Sequence, residues 1–236
     1  MDKKYGFTGK QKNVNGHLLH QIIARTDFAD VKAGDIGGWI EKESNLSHIG
    51  DAWVCGEAVV CDNAMVCGNA WVCGEAVVCD NARVYGKAKV YGNAKVYDDA
   101  EVCGNAKVCG ESMVCDYARV YGKAKIYGEA KVYGNAEVCG KAMVCGNTWV
   151  YGEAKVCGES MVYGEARVYG KAKVYDEAKV YDNAKVYGEA QEEKFVFNIH
   201  EFIERSLEKK DRYINLYLHT DGGVSISVYP LEKEVE

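Results

Sequence analysis

The chain has 236 residues, of which 48% are hydrophobic and 27% charged, and its formal net charge is −6. This apolar content excludes an intrinsically disordered chain. No stretch approaches the roughly 18 apolar residues that a membrane span needs, and the first residues have no apolar run of the kind found in signal peptides. We therefore expect a cytoplasmic protein, with no membrane contact, whose eleven cysteines are reduced.

Residues 1–48 lie outside the periodic part of the chain and are predicted to form an N-terminal β cap. Residues 18–24 are rich in large apolar side chains and indicate a strand. The glycine-rich residues 34–39 are expected to lead from this cap into the first coil of the periodic region.

A six-residue repeat fills residues 49–190. A small residue recurs at every sixth position from Ala52 to Ala190, and two positions later valine recurs from Val54 to Val186, with Ile126 as the one replacement. Residues two apart share one face of a short strand. The residue between them is often charged and cannot face a dry interior. The small residue and the valine therefore point inward, and the following Tyr or Cys points outward.

A longer interval in the repeat gives the number of strands in each coil. Within residues 56–170, aspartate replaces the glycine at the corner of the repeat at positions that are each three repeats after the last: Asp62, Asp80, Asp98 and Asp116. The sequence therefore predicts an all-β triangular parallel β-helix with three repeats in each coil and nearly eight coils. Equivalent side chains of successive coils then form columns, with strands about 4.8 Å apart. Each coil is stabilised only by its neighbours, so both ends need caps.

The repeat resembles the hexapeptide-repeat superfamily, in which an aliphatic residue is followed four positions later by a small one, as in Val54 and Ala58. The resemblance implies a left-handed parallel β-helix. The chain departs from the family pattern in having Tyr or Cys, rather than a small or acidic residue, directly after the valine. Residues 34–41 (GDIGGWIE) and the VYGNA repeats are similar to uncharacterised β-helix proteins of phages and gut bacteria. This resemblance implies a phage-encoded inhibitor of a host defence factor, such as a CRISPR nuclease.

Residues 191–236 are predicted to form a small α+β C-terminal cap. Asn198 can cap a helix whose apolar residues share one face, and residues 214–218 and 224–228 alternate as the two strands of a hairpin. Because a repetitive surface offers the same contacts at many registers, we expect this non-repetitive cap to contribute specificity for a partner. Its candidate partner-binding residues are Tyr213, Tyr217, His219 and Tyr229.

The outward positions of the first coils are apolar, and an exposed patch of this kind is normally covered. We expect either the N-terminal segment or a second copy of the chain, in a homodimer, to cover it. The patch consists of Trp53, Val59, Met65, Trp71 and Val77.

The cysteines all occupy the single outward position that they share with tyrosine. Successive cysteines are six positions apart and lie on different sides, whereas zinc needs convergent ligands. We therefore predict no metal site and no cofactor. Three cysteine pairs stack one coil apart, but their parallel Cβ directions disfavour a disulfide, so we expect thiols at Cys55–Cys73, Cys61–Cys79 and Cys139–Cys157.

No histidine occurs in residues 49–199, and His48, just before the regular coils, is interpreted as structural. Hexapeptide acyltransferases use a histidine as general base together with loops that project from the coils. The repeat has neither, so the sequence predicts a protein that is not an enzyme, with an acyltransferase-like enzyme as the alternative.

One side of the predicted rod carries lysines in line, Lys89, Lys107 and Lys125, beside Tyr91 and Tyr127. Basic residues among aromatic ones can track a nucleic acid, but acidic residues outnumber basic ones along the rod, unlike a typical nucleic-acid binder. Flat tyrosine-rich surfaces also suit protein recognition. We therefore predict a β-helical protein-binding module, with a nucleic-acid-binding or structural rod as a further alternative.

Overall fold

The computed structural model describes residues 3–187, together with the backbone of residues 212–218 and 224–230. Its central part is a three-sided rod of 23 two-residue strands, β4–β26, each made of one outward residue and one inward Val or Ile. Face 1 comprises Trp53–Val54, Trp71–Val72, Lys89–Val90, Lys107–Val108, Lys125–Ile126, Met143–Val144, Met161–Val162 and Lys179–Val180. Face 2 comprises Val59–Val60, Val77–Val78, Lys95–Val96, Met113–Val114, Lys131–Val132, Trp149–Val150, Arg167–Val168 and Lys185–Val186. Face 3 comprises Met65–Val66, Arg83–Val84, Glu101–Val102, Arg119–Val120, Glu137–Val138, Lys155–Val156 and Lys173–Val174.

Successive coils pair in parallel, so that each strand of the rod lies beside the strand three repeats further along the chain. Lys89, for example, lies beside Lys107, which in turn lies beside Lys125. The predicted parallel β-helix with three strands in each coil and nearly eight coils is therefore confirmed. The left-handed sense of the β-helix, which the resemblance implies, stays a prediction.

The core of the rod is a stack of alanines and valines, which are almost fully buried from Ala52 onward. Serine replaces the alanine at two inward positions. The hydroxyl of Ser112 donates a hydrogen bond to the carbonyl of Cys109, and Ser160 donates to Cys157, both at 2.8 Å. Because the local backbone accepts these hydrogen bonds, the coil tolerates a hydroxyl in an apolar interior.

At the corners of the rod the backbone is left-handed, and the next coil leaves little space for a side chain. At Gly110 φ is +75°, and a Cβ there would lie 2.8 Å from the carbonyl oxygen of Gly128 in the next coil. Glycine meets both requirements. Aspartate at the equivalent corners, such as Asp98 with φ 56°, accepts the same backbone conformation more readily than most residues do.

Three longer strands precede the rod: β1 (Tyr5–Val14), β2 (His17–Ala24) and β3 (Ile36–Ile40). The first two form an antiparallel hairpin, and β2 pairs with β3. A 3₁₀ turn follows at Glu43–Asn45. Strand β3 pairs in parallel with Val59–Val60 of face 2, so the hairpin extends that sheet beyond the first regular coil. The predicted strand over residues 18–24 is confirmed.

An irregular coil thus lies ahead of the six-residue repeat. Trp39 is registered with Val59 and Leu46 with Val66, and each of these separations is two residues longer than that of the regular coils. The side-chain amide of buried Asn45 donates hydrogen bonds to two carbonyls of the next coil, those of Asp62 and Ala64. These bonds hold the irregular coil on the regular ones.

The N-terminal segment covers part of the apolar patch of the early coils. Trp53 is only 2% exposed, and the ring of Phe28 meets it edge-on at 5.4 Å between centroids. Val59 is buried in a cluster with Leu19. The other members of the patch are less covered: Trp71 and Val77 are half-buried, and Met65 is 43% exposed.

Near the C-terminus, β27 (Arg212–Leu218) pairs in antiparallel fashion with β28 (Val224–Pro230). The hairpin predicted there is confirmed. The helix predicted after Asn198 lies outside the described residues.

The expectation of reduced thiols is wrong at four cysteines. Disulfides join Cys55 to Cys73 and Cys139 to Cys157, with Cα atoms 4.6 Å apart in each pair. Direct stacking of successive coils brings the backbones within the range that a disulfide spans. The third stacked pair, Cys61 and Cys79, is present as free thiols.

No helix within the described residues is long and apolar enough to cross a membrane.

Candidate functional site

The predicted lysine column is present on face 1. Lys89, Lys107 and Lys125 are exposed and directly adjacent in the parallel sheet, so their backbones are about 4.8 Å apart. Within the part of the chain that the structure describes, none of the three ammonium groups forms an ion pair. Like charges in directly opposed positions repel each other, and an anionic partner would relieve this repulsion.

Tyrosines and cysteines form a second column beside these lysines. Tyr91 is 40% exposed, and a hydrogen bond with Cys109 raises the pKa of its phenol. A hydrogen bond with Cys145, together with burial, raises the pKa of Tyr127 to about 12. Both phenols are therefore neutral at physiological pH and present hydroxyl groups beside the lysines.

Face 2 carries an aromatic ladder. The rings of Tyr133, Tyr151, Tyr169 and Tyr187 stack with centroid separations of 4.9–5.2 Å. Next to this ladder, Lys131 and Arg167 lie over the ring of Trp149, at 4.9 and 5.0 Å from its centroid. These two cations form cation–π contacts with an aromatic ring, whereas no such contact is described for the three lysines of face 1.

Four charged residues of face 3 form two ion pairs within that face. Arg119 lies 3.8 Å from Glu101, and Lys155 lies 3.5 Å from Glu137. These are partly exposed pairs of adjacent coils, and such pairs contribute little stability. Arg83 and Lys173 of face 3 are outside these two pairs, but they are not adjacent in the sheet, whereas the three lysines of face 1 are.

The C-terminal candidates lie on the two terminal strands or beyond them. Tyr213 is registered opposite Tyr229, and Tyr217 opposite Ser225. His219 lies outside the described residues.

A second cluster, which the sequence analysis missed, lies where the N-terminal hairpin meets the rod. The Nδ1 atom of His17 is 3.2 Å from Glu41 Oε1 and 3.7 Å from Asp62 Oδ1. The Cys61 sulfur completes a group in which the ligand atoms of His17, Cys61 and Asp62 lie within 4.8 Å of one another. We call His17, Glu41, Cys61 and Asp62 the hairpin cluster.

Hydrogen bonds orient the two carboxylates of this cluster. Burial acts to raise the pKa of Glu41, but hydrogen bonds from the Asp62 backbone N–H and from His17 outweigh it and hold the pKa below its usual range. Asp62 Oδ2 accepts the backbone N–H of Asp80 at 3.3 Å. Equivalent hydrogen bonds join the corner aspartates of the following coils, from Asp98 N–H to Asp80 and from Asp116 N–H to Asp98.

His48 is held in a different environment. Its ring stacks on Tyr5 with centroids 4.2 Å apart, and its Nε2 lies 2.7 Å from Glu43 Oε1. Its Nδ1 is buried without a hydrogen-bond partner among the described residues. One ring nitrogen of His48 thus contacts a carboxylate and the other is buried, and the structural interpretation of His48 stays a prediction.

The register and the repeat together define a class: the protein is a three-sided parallel β-solenoid built from six-residue repeats. A family model described as YdcK Beta solenoid repeat matches residues 58–74. The chain is also similar to an Escherichia coli (strain K12) protein named Uncharacterized acetyltransferase YdcK, with 50% identity over 50 residues. That similarity spans 21% of this chain and 14% of the relative.

These comparisons confirm the resemblance to the hexapeptide-repeat β-helix superfamily. They also correct one expectation. The prediction that the chain is not an enzyme is wrong, because the E. coli relative is named as an acetyltransferase. The prediction depended on the absence of a histidine within residues 49–199 and on a structural interpretation of His48, whereas the hairpin cluster places another histidine, His17, beside a carboxylate.

Proposed function

We propose that this β-solenoid acts as a protein-binding module whose face 1 binds an acidic surface of a partner protein. The observation that supports this function is the column of three exposed, unpaired lysines at Lys89, Lys107 and Lys125. A rigid sheet fixes their spacing in advance, so a partner with carboxylates at a matching spacing loses little conformational entropy on binding. The neighbouring Tyr91 and Tyr127 add apolar area and hydroxyl groups of the kind enriched at interfaces.

A protein partner fits this surface better than a nucleic acid does. Glutamates such as Glu111 and Glu129 occupy corners beside face 1, and the whole chain carries a net charge of −6. A phosphate backbone would be repelled by these acidic edges, whereas a protein can place its carboxylates on the lysines alone. Under this proposal Tyr213, Tyr217 and Tyr229 contribute specificity, and an inhibitor of a host defence factor is a prediction that rests on the sequence resemblance.

The test is affinity capture from nuclease-treated bacterial lysate with three forms of the full chain. These are the wild type, the triple variant Lys89→Glu, Lys107→Glu and Lys125→Glu, and a control with the same charge change elsewhere. The control replaces Lys10, Lys95 and Lys173 by glutamate. All three are exposed, and they lie on strand β1, face 2 and face 3 respectively.

We expect the wild type and the control to retain one stoichiometric protein that the triple variant loses. Retention of the same protein by all three forms, or capture of none by the wild type, would contradict the proposal.

Acetyl transfer is a second candidate function, favoured by the name of the E. coli relative. In this chain His17 and Glu41 have the histidine–carboxylate arrangement that orients a general base. Titration calorimetry with acetyl-CoA tests the candidate. Saturable binding supports it, and the absence of heat at millimolar ligand contradicts it.

A further inference from the structure

We infer that the hairpin cluster, His17, Glu41, Cys61 and Asp62, is a binding site for a divalent transition metal, with zinc as the best chemical match. The inference is independent of the function proposed for face 1. Within the repeat alone the cysteines do not converge on a metal ion, whereas His17 and Glu41 reach the corner at Cys61 and Asp62 because the hairpin packs on the rod.

Potential donor atoms of His17, Cys61 and Asp62 converge within 4.8 Å of one another, and Glu41 Oε1 lies 3.2 Å from His17. His17 begins strand β2, Glu41 directly follows strand β3, and Cys61 and Asp62 form a corner of the rod. Cys61 is 5% exposed, while the other three side chains are about one third exposed. A metal ion could therefore enter from the solvent side and bind against a buried sulfur.

In each carboxylate, one oxygen accepts a hydrogen bond from a backbone N–H and the other lies near the histidine. Glu41 Oε2 accepts the Asp62 N–H at 2.6 Å, and Asp62 Oδ2 accepts the Asp80 N–H at 3.3 Å. The remaining oxygens, Glu41 Oε1 and Asp62 Oδ1, are the ones that lie 3.2 and 3.7 Å from His17 Nδ1. Backbone hydrogen bonds of this kind orient carboxylate ligands at metal sites.

Two of the distances between ligand atoms match those expected around a tetrahedral metal ion. Zinc binds nitrogen and oxygen at about 2.0–2.2 Å and sulfur at about 2.3 Å, so its ligand atoms are about 3.3–3.8 Å apart. The two distances from His17 Nδ1 to the carboxylates, 3.2 and 3.7 Å, are close to these values, and the Cys61 sulfur lies within 4.8 Å of the ligand atoms of His17 and Asp62. One sulfur and one imidazole favour zinc or cobalt over magnesium or calcium, which prefer oxygen ligands alone.

Polar contacts of His17 with the two carboxylates, without a metal ion, are the competing explanation of the same geometry. It predicts no role for Cys61 and no affinity for metal. A metal site predicts that both His17 and Cys61 are required, so the cysteine decides between the two explanations.

The test is titration of the untagged full chain, freed of metal with a chelator and kept under reducing conditions, with Co²⁺ and then Zn²⁺. Cobalt reports a thiolate ligand by a sulfur-to-metal charge-transfer band in the near ultraviolet. We expect one equivalent of Co²⁺ to develop this band and Zn²⁺ to abolish it by displacement.

Matched variants assign the ligands. We expect Cys61→Ser to lose the band, and His17→Ala or Asp62→Asn to weaken binding by about tenfold or more. Asn keeps the left-handed corner at residue 62, so this variant reports ligation rather than folding. His20→Ala and Cys115→Ser change the same residue types outside the cluster, and Cys115 lies beside two aspartates without a histidine. They should bind Co²⁺ as the wild type does.

Two results would overturn the inference. One is the absence of a charge-transfer band in the wild type at one equivalent of cobalt. The other is an unchanged band in Cys61→Ser with circular dichroism equal to that of the wild type.

Discussion

Asp98 illustrates how a single corner residue serves both the backbone and the stacking of coils. Its φ is 56°, a left-handed conformation that costs most residues about 1–2 kcal/mol. Its backbone N–H donates to Asp80, and its Oδ2 accepts the N–H of Asp116 at 3.1 Å. The residue therefore links three successive coils.

Replacing Asp98 by valine should destabilise the rod by about 1–3 kcal/mol, because a β-branched residue is strained at this φ and cannot accept the hydrogen bond. Asp98→Asn keeps both the conformation and an accepting oxygen, and should stay within about 0.5 kcal/mol of the wild type. Urea unfolding of the two variants measures the difference. Equal free energies of unfolding for both variants would contradict this account of the corner.

Lys4 is a buried cation that ties the N-terminal strand to the rod. Its ammonium group donates hydrogen bonds to the carbonyls of Gly50 and Ala52, at 3.0 and 2.8 Å. Burial lowers its pKa from 10.5 to about 8, although the charge of Asp51 opposes this shift. Between these two pH values the unfolded chain binds more protons than the folded one, so raising the pH through this window favours the folded state.

We therefore predict that the stability advantage of the wild type over Lys4→Met increases between pH 8 and pH 10. Cysteines and tyrosines also titrate near the upper end of this window, but they are common to both proteins and cancel in the difference. Urea unfolding at three or four pH values checks the prediction. Parallel stability curves for the two proteins would show that burial does not depress the pKa of Lys4.

At the scale of elements, glycines allow the N-terminal hairpin to pack closely on the rod. A Cβ at Gly38 would lie 2.8 Å from the carbonyl oxygen of Ala58 and 2.8 Å from a methyl of Val54. The backbone of β3 therefore lies directly on the first regular coil, and it brings Glu41 to the hairpin cluster.

Gly38→Ala should lower the free energy of unfolding by about 1–3 kcal/mol, because the obstructing atoms belong to backbone and core. Gly6→Ala is the matched control, since the three atoms nearest to a Cβ there belong to the guanidinium end of the Arg25 side chain, which can turn away. Thermal and urea unfolding measure both variants. A control as unstable as Gly38→Ala would contradict the close packing of β3.

The regular elements could be predicted from the sequence because their information is local. Alternation within each repeat assigns the inward residues, and the constant spacing of Asp62, Asp80 and Asp98 gives the register of the coils. The lysine column of face 1 follows from the same arithmetic, since Lys89 and Lys107 are three repeats apart and therefore adjacent in the sheet.

The irregular coil and the hairpin cluster could not be predicted in this way. Trp39 and its partner Val59 are two residues further apart than equivalent positions of the regular coils, so Trp39 does not fit the period. His17 reaches Cys61 only through the pairing of β2 with β3 and of β3 with the rod, which are tertiary contacts without a spacing signature. The disulfides differ from the prediction for another reason: parallel Cβ directions disfavour the bond, but the Cα atoms of each pair are only 4.6 Å apart, within the range that a disulfide spans.

At the scale of the whole molecule, the coil of three repeats is the unit of length. Deleting residues 133–150 removes one coil and joins Val132 to Tyr151, which restores the repeat without a change of phase. We predict a shorter folded rod, because each remaining coil finds an equivalent neighbour.

Deleting residues 133–141 is the control, since a loss of one and a half repeats turns the inward valines of all later coils outward. This variant should lose the β signal of those coils. Circular dichroism and thermal unfolding compare the two deletions. If both were equally folded, or if the deletion of a whole coil unfolded the chain, the coil would not be the structural unit.

The central claim is that face 1 contacts an acidic partner through its lysine column. The most direct measurement is amine-reactive footprinting of the captured complex, with peptide mass spectrometry reading the labelling of each lysine. The account predicts that Lys89, Lys107 and Lys125 lose reactivity when the partner is bound, whereas Lys95 and Lys173 keep theirs. Unchanged labelling of the three face 1 lysines, with protection elsewhere on the rod, would contradict it.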